Sequence, residues 1–450
     1  MIGKDKIVTL LGDTLALKLA DQGEAVFVGS ESGLTRFANS IIHQNVAETQ
    51  SKVFFRVAMG RKLGVASTNS LSRGDLKAAY RAAIKIAKAQ KENPHFESLP
   101  GPATYPDVST FFSETAKFTP RSRGLKVKSI VQVASRRGCT VAGSLTTGTG
   151  EVAVVNTRGV AAYQPLTSAS LSVIAMTKNS SGYAEGLSRD VGALDVRAVA
   201  GAAVDKAVAC ADPETLSPGE YEVVLEPAAV AALMEWVNYI GFGSKAMLDG
   251  TSFMCNRIGQ RITGEEISIH DDGTDPAGVA MPFDFEGVPK RRVELITAGV
   301  AKGVVYDSLT ASRGKTVSTG HALTPDSSGE GALALNLFVA PGDSSLPQMI
   351  AGVGDGLLVT RFHYINGFLD TPHAVLTGMT RDGLMRIKDG RLQGGVKNLR
   401  FTDSMLRAFG TVKALSAQRQ CINAWWDSLG CITAPAVHLG SFRFSGQTGF

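Results

Sequence analysis

Apolar and polar residues alternate in short segments through the first half of the chain, and the alternation occurs twice. Each series of four segments leads to an alanine-rich stretch whose apolar residues are three and four positions apart. Alternation with a period of two is typical of half-buried strands, whereas the longer period is typical of an amphipathic helix. The predicted strands are 25–29, 34–37, 41–48 and 52–59 in the first series, and 140–145, 152–155, 159–163 and 169–177 in the second.

The two series are copies of one unit. The helix that opens at Asp75 is similar to the helix that opens at Asp195, 120 residues further along the chain. Asn39 and Asn156 each lie between the second and third segments, where a turn needs a residue that tolerates left-handed backbone. We therefore predict two antiparallel meanders, each packed by a helix.

Prolines separate the two copies. Pro94, Pro100, Pro102 and Pro106 fall within residues 93–119, which therefore cannot form a long helix and are predicted to cross between the units as extended chain. The predicted organisation is a first α/β unit at 1–92, the crossover at 93–119, a second α/β unit at 120–211 and a third part at 219–450.

The third part opens with a predicted strand at 221–225 and a helix at 227–240, with Pro227 well placed in its first turn. Asp389-Gly390 is a strong signal for a tight hairpin. We predict a closed or strongly curved, barrel-like β domain, and hence an α+β chain. Further strands are predicted at 292–296, 304–306, 332–339, 357–362, 375–379, 384–387 and 391–396.

Composition fits a soluble globular protein of two or three domains, because 44% of the 450 residues are hydrophobic and 19% are charged. The five cysteines are odd in number and include no Cys-x-x-Cys pair, which argues against a disulfide framework and favours a reducing compartment. The apolar stretch 7–11 is too short for a secretion signal or a membrane span. The predicted location is the cytoplasm, without a membrane partner.

The net charge of +5 does not by itself indicate nucleic-acid binding. The densest basic runs, 121–128 and 290–292, are short and contain no aromatic residues for stacking on bases. We interpret both runs as solvated surface, since exposed lysine and arginine are the usual case.

Several segments carry a family resemblance. The helix that contains Leu233-Met234-Glu235-Trp236-Val237-Asn238-Tyr239-Ile240, followed by Gly250-Thr251-Ser252-Phe253, resembles the helix on which the TldD/PmbA family of metallopeptidase-related proteins carries a His-Glu-x-x-x-His zinc motif. Segments 283–289, 318–322 and 356–360 are similar to the metal-free branch of that family, called TldE or PmbA. The resemblance covers about residues 219–446.

The zinc motif itself is absent. A zinc peptidase needs imidazoles or thiolates to hold the metal and a carboxylate to take a proton from the metal-bound water. The resemblance places the first His position at Glu235, the Glu position at Trp236, the second His position at Ile240 and the family's cysteine at Cys431. Because Trp236 and Ile240 cannot bind a metal, we predict a degenerate site without zinc, catalytic residues or another cofactor, and we interpret Cys431 as a small buried side chain.

No other constellation replaces the zinc motif convincingly. His363 and His373 flank Asp370, but their spacing does not match a metal pair on a helix. His321, on a Gly-flanked loop, is assigned to turn structure or, with Arg292, to a subunit or peptide contact. The glycine clusters do not open a helix after a strand, so no nucleotide cofactor is predicted.

The resemblance implies a function for the whole chain. In the family, a metal-free subunit pairs with a zinc-bearing TldD-like subunit, and the pair encloses a chamber that degrades or matures unfolded or leader peptides. Two alternatives remain open at this stage: a stand-alone hydrolase with a different site, and a metal-independent homodimer that binds peptides. Large residues near the C-terminus belong to the core or to an interface, namely Trp425, Trp426, Phe442, Phe444 and Phe450.

Overall fold

The computed structural model describes residues 1–424 and 430–448, which form a mixed α+β fold built on two sheets. The α-helices of this part are α1 (Lys4–Leu15), α2 (Arg73–Ala89), α3 (Ser113–Ala116), α4 (Pro120–Ser135), α5 (Val196–Ala209), α6 (Pro227–Val237), α7 (Ser244–Leu248), α8 (Ser308–Arg313), α9 (Leu346–Ala351) and α10 (Met405–Phe409). Shorter helical turns lie at Val191–Ala193, Asn238–Phe242, Ser328–Glu330 and Thr371–His373.

The strands of the first sheet are β1 (Gln22–Ala38), β2 (Ile41–Met59), β3 (Lys62–Thr68), β4 (Thr140–Asn156), β5 (Ala161–Met176) and β6 (Ser181–Ser188). Those of the second sheet are β7 (Gly219–Leu225), β8 (Ile269–Asp271), β9 (Val293–Thr297), β10 (Val300–Ala301), β11 (Asn336–Val339), β12 (Asp355–Asp370), β13 (Val375–Lys388), β14 (Arg391–Gly395), β15 (Leu399–Ser404), β16 (Val412–Asn423) and β17 (Cys431–Gln447).

The first sheet confirms the internal repeat. Its order is β3-β2-β1-β4-β5-β6, so two three-stranded meanders meet where β1 pairs antiparallel with β4. Helix α2 packs on the first meander and α5 on the second, and Ser72 and Asp195 accept hydrogen bonds from the first backbone N–H groups of these helices. Asn39 adopts a positive φ of 49°, as predicted, whereas in the second copy Gly159 takes the positive φ and the Asn156 side chain accepts hydrogen bonds from the backbone N–H groups of the turn.

The strands are longer than predicted. Each predicted pair of short segments is one continuous strand, so that 25–29 and 34–37 both lie in β1. Glycines such as Gly29 and Gly33 interrupt the apolar pattern there, but both keep their cross-strand partners in β4. Glycine has no side chain, so it weakens the alternating pattern by which a strand is predicted. The hydrogen-bond ladder nevertheless continues through it.

The crossover between the meanders contains no long helix, since α3 holds only four residues. Thr110 lies beside the outer edge of β5, and the Thr167 N–H donates to the Thr110 carbonyl oxygen at 2.9 Å. The crossover therefore closes part of one edge of the first sheet.

The second sheet closes on itself, as the barrel-like prediction requires. Strand β17 pairs with β15 on one side and with β7 on the other, and β13 and β12 complete the ring. The central helix α6 and the ring share one hydrophobic core, in which Phe401, Phe442 and Phe444 are buried. Trp425, Trp426 and Phe450 lie outside the described residues.

Local predictions in this domain had mixed outcomes. Asp389 and Gly390 form the expected hairpin turn between β13 and β14, with φ values of 50° and 72°. The strand predicted at 304–306 is wrong, because Val305 makes only an isolated bridge to Gly243. The prediction at 332–339 is too long, since β11 begins at Asn336.

All five cysteines are free thiols. Within the part of the chain that the structure describes, none of the helices has the length and apolar character needed to cross a bilayer.

Candidate functional site

Helix α6 is the element on which the candidate site depends. It begins with Pro227 in its first turn and is apolar on nearly all sides, which is typical of a helix buried within a domain. After Val237 the helix continues as a π-helical turn over Asn238–Phe242. π turns are rare and occur often at functional sites.

This π turn matters because of the spacing of the degenerate positions. Glu235 and Ile240 are five residues apart, a separation that a regular α-helix of 3.6 residues per turn does not bring to one face. A π turn closes hydrogen bonds between residues five apart, and this one includes Ile240. Glu235 lies in the last turn of the α-helical part, and Ile240 lies within the π turn.

Positions 236 and 240, which the resemblance assigns to the zinc motif, hold packed apolar side chains. Trp236 is buried, and its ring makes an edge contact with Phe368 at 5.3 Å between centroids and another with Tyr239 at 6.3 Å. Ile240 is buried beside Trp236, since both side chains lie against Gly367. No atom of the Trp236 or Ile240 side chain can donate an electron pair to zinc, so these residues do not fit that metal.

Cys431 and Glu235 line the same small cavity beside α6. The Val279 N–H donates to the Cys431 Sγ at 3.3 Å, and the thiol donates to the Asn336 Oδ1 at 3.6 Å. A hydrogen bond with the Cys421 thiol, and secondly burial, raise the pKa of Cys431 well above its ordinary value. Cys431 is therefore a neutral, hydrogen-bonded thiol near neutral pH.

The remaining metal candidates are separated in space. His373 is exposed and bonds to Asp370 at 2.9 Å, whereas His363 lines a groove next to α6. Among residues 1–424 and 430–448, no three His, Cys, Asp or Glu side chains are grouped so that they could hold a metal ion.

The prediction for His321 was wrong in one of its two alternatives. Its side chain is completely buried, with the Nε2 at 2.7 Å from the Asp271 Oδ1 and the Nδ1 at 2.9 Å from the Thr319 Oγ1. A residue without exposed surface cannot contact a subunit or a peptide, so His321 stabilises the loop packing instead. Arg292 is exposed and pairs with Glu294 at 2.7 Å, which leaves the contact predicted for it untested.

A groove of about 590 Å³ runs between the second meander and the C-terminal domain. Helix α6 lines it from the C-terminal domain together with β12, β16 and β17, and β4, β5 and β6 line it from the first sheet. This volume lies within the usual range of ligand-binding pockets. The residues that give the groove its chemical character are Ser172, Tyr183, Glu185, Ala232, Glu235, Trp236, Arg361 and His363.

Arg361 is a fixed positive charge at this groove. Its Nε donates to the Asp382 Oδ2 at 2.9 Å, and its guanidinium lies over the Tyr183 ring at 3.9 Å from the centroid. The Ser181 hydroxyl holds the same aspartate at 2.7 Å from the other side. An arginine that is both paired and stacked loses little further entropy when a ligand contacts it.

Glu185 supplies a carboxyl group with unusual titration behaviour. Its pKa is raised to about 7, first by burial and to a smaller extent by the charge of Glu235, while Tyr183 and Arg361 oppose the increase. The groove therefore presents a carboxyl group that exchanges a proton near neutral pH.

We expect the variant Glu185→Gln to be more stable than the natural protein at pH 8 and nearly equal to it at pH 4.5. A folded-state pKa of about 7 lies above the ordinary value of 4.5, so the natural protein loses stability as the pH rises between these values. Glutamine does not titrate and avoids this loss. Thermal unfolding midpoints measured across the interval test the expectation.

The matched control is Glu220→Gln, because bonds from Ser441 and Arg443 lower the pKa of Glu220. Its variant should instead be less stable than the natural protein by an amount that is nearly constant from pH 4.5 to pH 8 and that shrinks only at more acidic pH. A pH-independent difference for Glu185→Gln would contradict the assigned titration.

Sequence reasoning missed the charged residues of the groove. Glu185 and Arg361 come from strands of different domains, so no local pattern joins them. The one available signal was Arg361 itself, a charged residue two positions after the apolar run 357–359 and within a predicted strand. A charge in such a position is typical of a pairing or binding role.

Three family models match the chain. They describe domain 1 of the PmbA/TldA metallopeptidases at residues 23–87, the central domain at 112–211 and the C-terminal domain at 218–446. The last match alone covers about half of the chain.

Individual relatives are more distant. A metalloprotease of Methanothermobacter thermautotrophicus is 22% identical over 215 residues, which are 47% of this chain and 46% of that protein. A metalloprotease TldD homologue of Buchnera aphidicola subsp. Acyrthosiphon pisum is 29% identical over 193 residues, or 41% of this chain and 38% of that protein. The chain thus matches less than half the length of either relative.

The fold agrees over the whole chain with solved structures. The crystal structure of TldE from Thermococcus kodakarensis superposes with a TM-score of 0.88 at 19% identity, covering 98% of this chain and 99% of that one. At this identity the agreement concerns the fold alone.

Proposed function

Because the chain belongs to the PmbA/TldD metallopeptidase family, we propose that it is a TldE-like subunit that does not cleave peptides by itself. It pairs with a zinc-bearing TldD-like subunit, and the two enclose a chamber in which unfolded or leader peptides are degraded or matured. Hydrolysis in this complex depends on the partner's zinc site. We also expect a cytoplasmic location, since five free thiols suit a reducing compartment.

One observation carries this proposal. The helix that would hold zinc is present with its π turn, but its motif positions contain Trp236 and Ile240, packed as core residues. Adding ligands there would require removing an aromatic cluster, so the apolar state is an integral part of the fold. The helix therefore supports the chamber without supplying its chemistry.

The groove beside α6 supports a role in holding peptides. It combines apolar surface from the helix with the fixed charge of Arg361 and the carboxyl groups of Glu185 and Glu235. Such a lining accepts an extended backbone with varied side chains, which suits an enzyme for unfolded peptides. In the complex, this wall positions the peptide while the partner supplies the zinc-bound water.

The test is a peptidase assay with the purified chain, a purified zinc-bearing TldD-like relative, and their mixture, combined with elemental analysis for zinc. We expect no stoichiometric zinc in this chain and cleavage of an unfolded peptide only in the mixture. Zinc together with activity in the chain alone would establish a stand-alone hydrolase. Peptide binding without cleavage in any combination would instead favour a binding module.

A groove variant gives the test a matched control. Ala232→Phe adds a ring to the groove-facing side of α6, whereas Ala198→Phe adds the same ring to an exposed position on α5. We expect the first variant to lower cleavage by the mixture by about tenfold or more while complex formation persists, since the ring occupies the space of a peptide side chain. Equal activity of the two variants would show that peptides do not use this groove.

A further inference from the structure

The first half of β2 has an exposed outer edge. Strand β2 pairs with β1 along its whole length, but β3 pairs only with residues 53–59. Residues 41–50 are all exposed to solvent, on both faces of the strand. Within the described part of the chain, no other strand is paired with the outer side of this segment.

The internal repeat shows how the equivalent edge is treated in the second copy. Strand β5 corresponds to β2, and its first half also extends beyond the short outer strand, since β6 pairs only with residues 169–176. There the crossover covers the edge: Thr167 donates to the Thr110 carbonyl oxygen, and the Thr110 hydroxyl donates to the Pro165 carbonyl oxygen at 2.7 Å. The fold thus covers this edge in one copy and leaves it open in the other.

The composition of the open edge favours pairing. Natural sheet edges are protected from association by lysine, proline or bulges. Residues 41–50 contain no lysine, arginine or proline. Strand β2 has one bulge in this segment, at His43, and its pairing with β1 is regular from Gln44 to Gln50. A ten-residue strand presents about 34 Å of backbone N–H and C=O groups.

Apolar side chains accompany this backbone. Ile41 is 67% exposed, Ile42 is 41% exposed and Val46 is 38% exposed. Leu125 of α4, next to Gly124 against which Ile42 lies, is 60% exposed. Burial of these side chains would add hydrophobic stabilisation to a new strand pairing.

We propose that residues 41–50 of β2 form a self-association edge, at which a second copy of this chain pairs antiparallel through the same residues. The two first sheets then join into one continuous twelve-stranded sheet. A two-fold axis places the segment against itself, and such self-complementarity is possible here because the segment carries a single carboxylate, Glu48, and no basic residue other than His43. The nearly neutral edge therefore brings no like charges together at its centre.

The proposed edge is separate from the groove. The groove is lined by residues from 144 onward and by none from the first meander. The edge and the groove thus use different residues, and a monomeric edge variant would leave the lining of the groove unchanged.

A charge-exchange experiment tests the edge in the full chain. Val46 is close to the centre of the segment, so Val46→Lys places two ammonium groups near each other across the two-fold axis, and Val46→Glu places two carboxylates there. Sedimentation should show a dimer for the natural chain and self-association weakened by about tenfold or more for each variant alone. An equimolar mixture of the two variants should recover the dimer.

Two further measurements make the result specific. Val317→Lys changes a valine that is 65% exposed and lies outside this edge, and it should leave the dimer intact. Amide hydrogens of residues 41–50 should exchange more slowly at concentrations where the dimer forms than on dilution.

The proposal is overturned by a monomeric natural chain, by a dimer that both Val46 variants preserve, or by a dimer whose 41–50 amides exchange freely. Protection of these amides only by a zinc-bearing relative would assign the edge to that partner and equally overturn pairing between identical chains.

Discussion

Replacing Arg56 by methionine is expected to destabilise the protein by about 3–5 kcal/mol, the usual cost of removing one partner from a buried ion pair. The Arg56 Nη1 lies 2.5 Å from the Glu286 Oε1, and its Nη2 lies 2.9 Å from the Glu24 Oε1. All three side chains are buried. Without the guanidinium, two carboxylates would remain in the interior without a compensating charge.

The expected loss depends on pH. Burial already raises the pKa of Glu24 to about 7 in the natural protein, despite the opposing charge of Arg56. In the variant, both carboxyl groups take up protons more readily, and a protonated pair costs less to bury. The variant's loss in free energy of unfolding should therefore be larger at pH 8 than at pH 5. Urea unfolding of the variant and the natural protein at both pH values measures this difference.

Two controls separate the buried charge from simple loss of an arginine. Arg73→Met removes an exposed pair with Asp13, whose side chains are 76% and 51% accessible, and should cost no more than about 1 kcal/mol. Combining Arg56→Met with Glu24→Gln and Glu286→Gln should recover much of the loss. Equal effects of the Arg56 and Arg73 variants would contradict this account.

The location of this network explains the family segment 283–289. Glu24 and Arg56 belong to β1 and β2, whereas Glu286 belongs to a tight turn in which Asp284 accepts the N–H groups of Glu286 and Val288. Gly287 has a φ of 72°, which glycine adopts without strain. The turn therefore docks the C-terminal domain on the first sheet, and its sequence is constrained by packing.

Local patterns predicted the elements whose signals are local. The repeat, the helix from Pro227 and the hairpin at Asp389-Gly390 each depend on residues near one another in the chain. Strand length was less predictable, because pairing partners decide where a strand ends. Segment 304–306 has a strand-like composition but only one bridging neighbour, so it does not extend into a ladder.

In the candidate site, too, features that depend on single residues could be predicted, and features that depend on distant contacts could not. That Trp236 and Ile240 do not suit a metal site could be judged from the sequence alone, because metal binding depends on residue identity, and the absence of zinc stays a prediction. The burial of His321 could not be predicted, since its partner Asp271 is 50 residues away in sequence. The groove was equally hidden, because strands of two domains form it.

Substitution of Gly182 by alanine is expected to cost about 3 kcal/mol, the upper part of the range for overpacking a core. A Cβ at this position on β6 would lie 2.2 Å from the Ala203 carbonyl oxygen and 2.4 Å from the Ala207 nitrogen, both in the backbone of α5. A helix backbone cannot move aside as a side chain can, so the helix must separate from the sheet. Thermal unfolding of the variant measures the loss.

The repeat supplies a second copy of this experiment. A Cβ on Gly64 of β3 would lie 2.2 Å from the Ala83 carbonyl oxygen and 2.4 Å from the Ala87 nitrogen of α2, the same contact in the other meander. Gly64→Ala should therefore cost a similar amount, and the two losses should add because the sites share no partners. Gly201→Ala in α5, where a Cβ meets no atom within 4 Å, should instead stabilise by about 0.5–1 kcal/mol. If Gly182→Ala and Gly201→Ala changed the stability in the same direction, close approach of helix and sheet would not be the reason for glycine in both meanders.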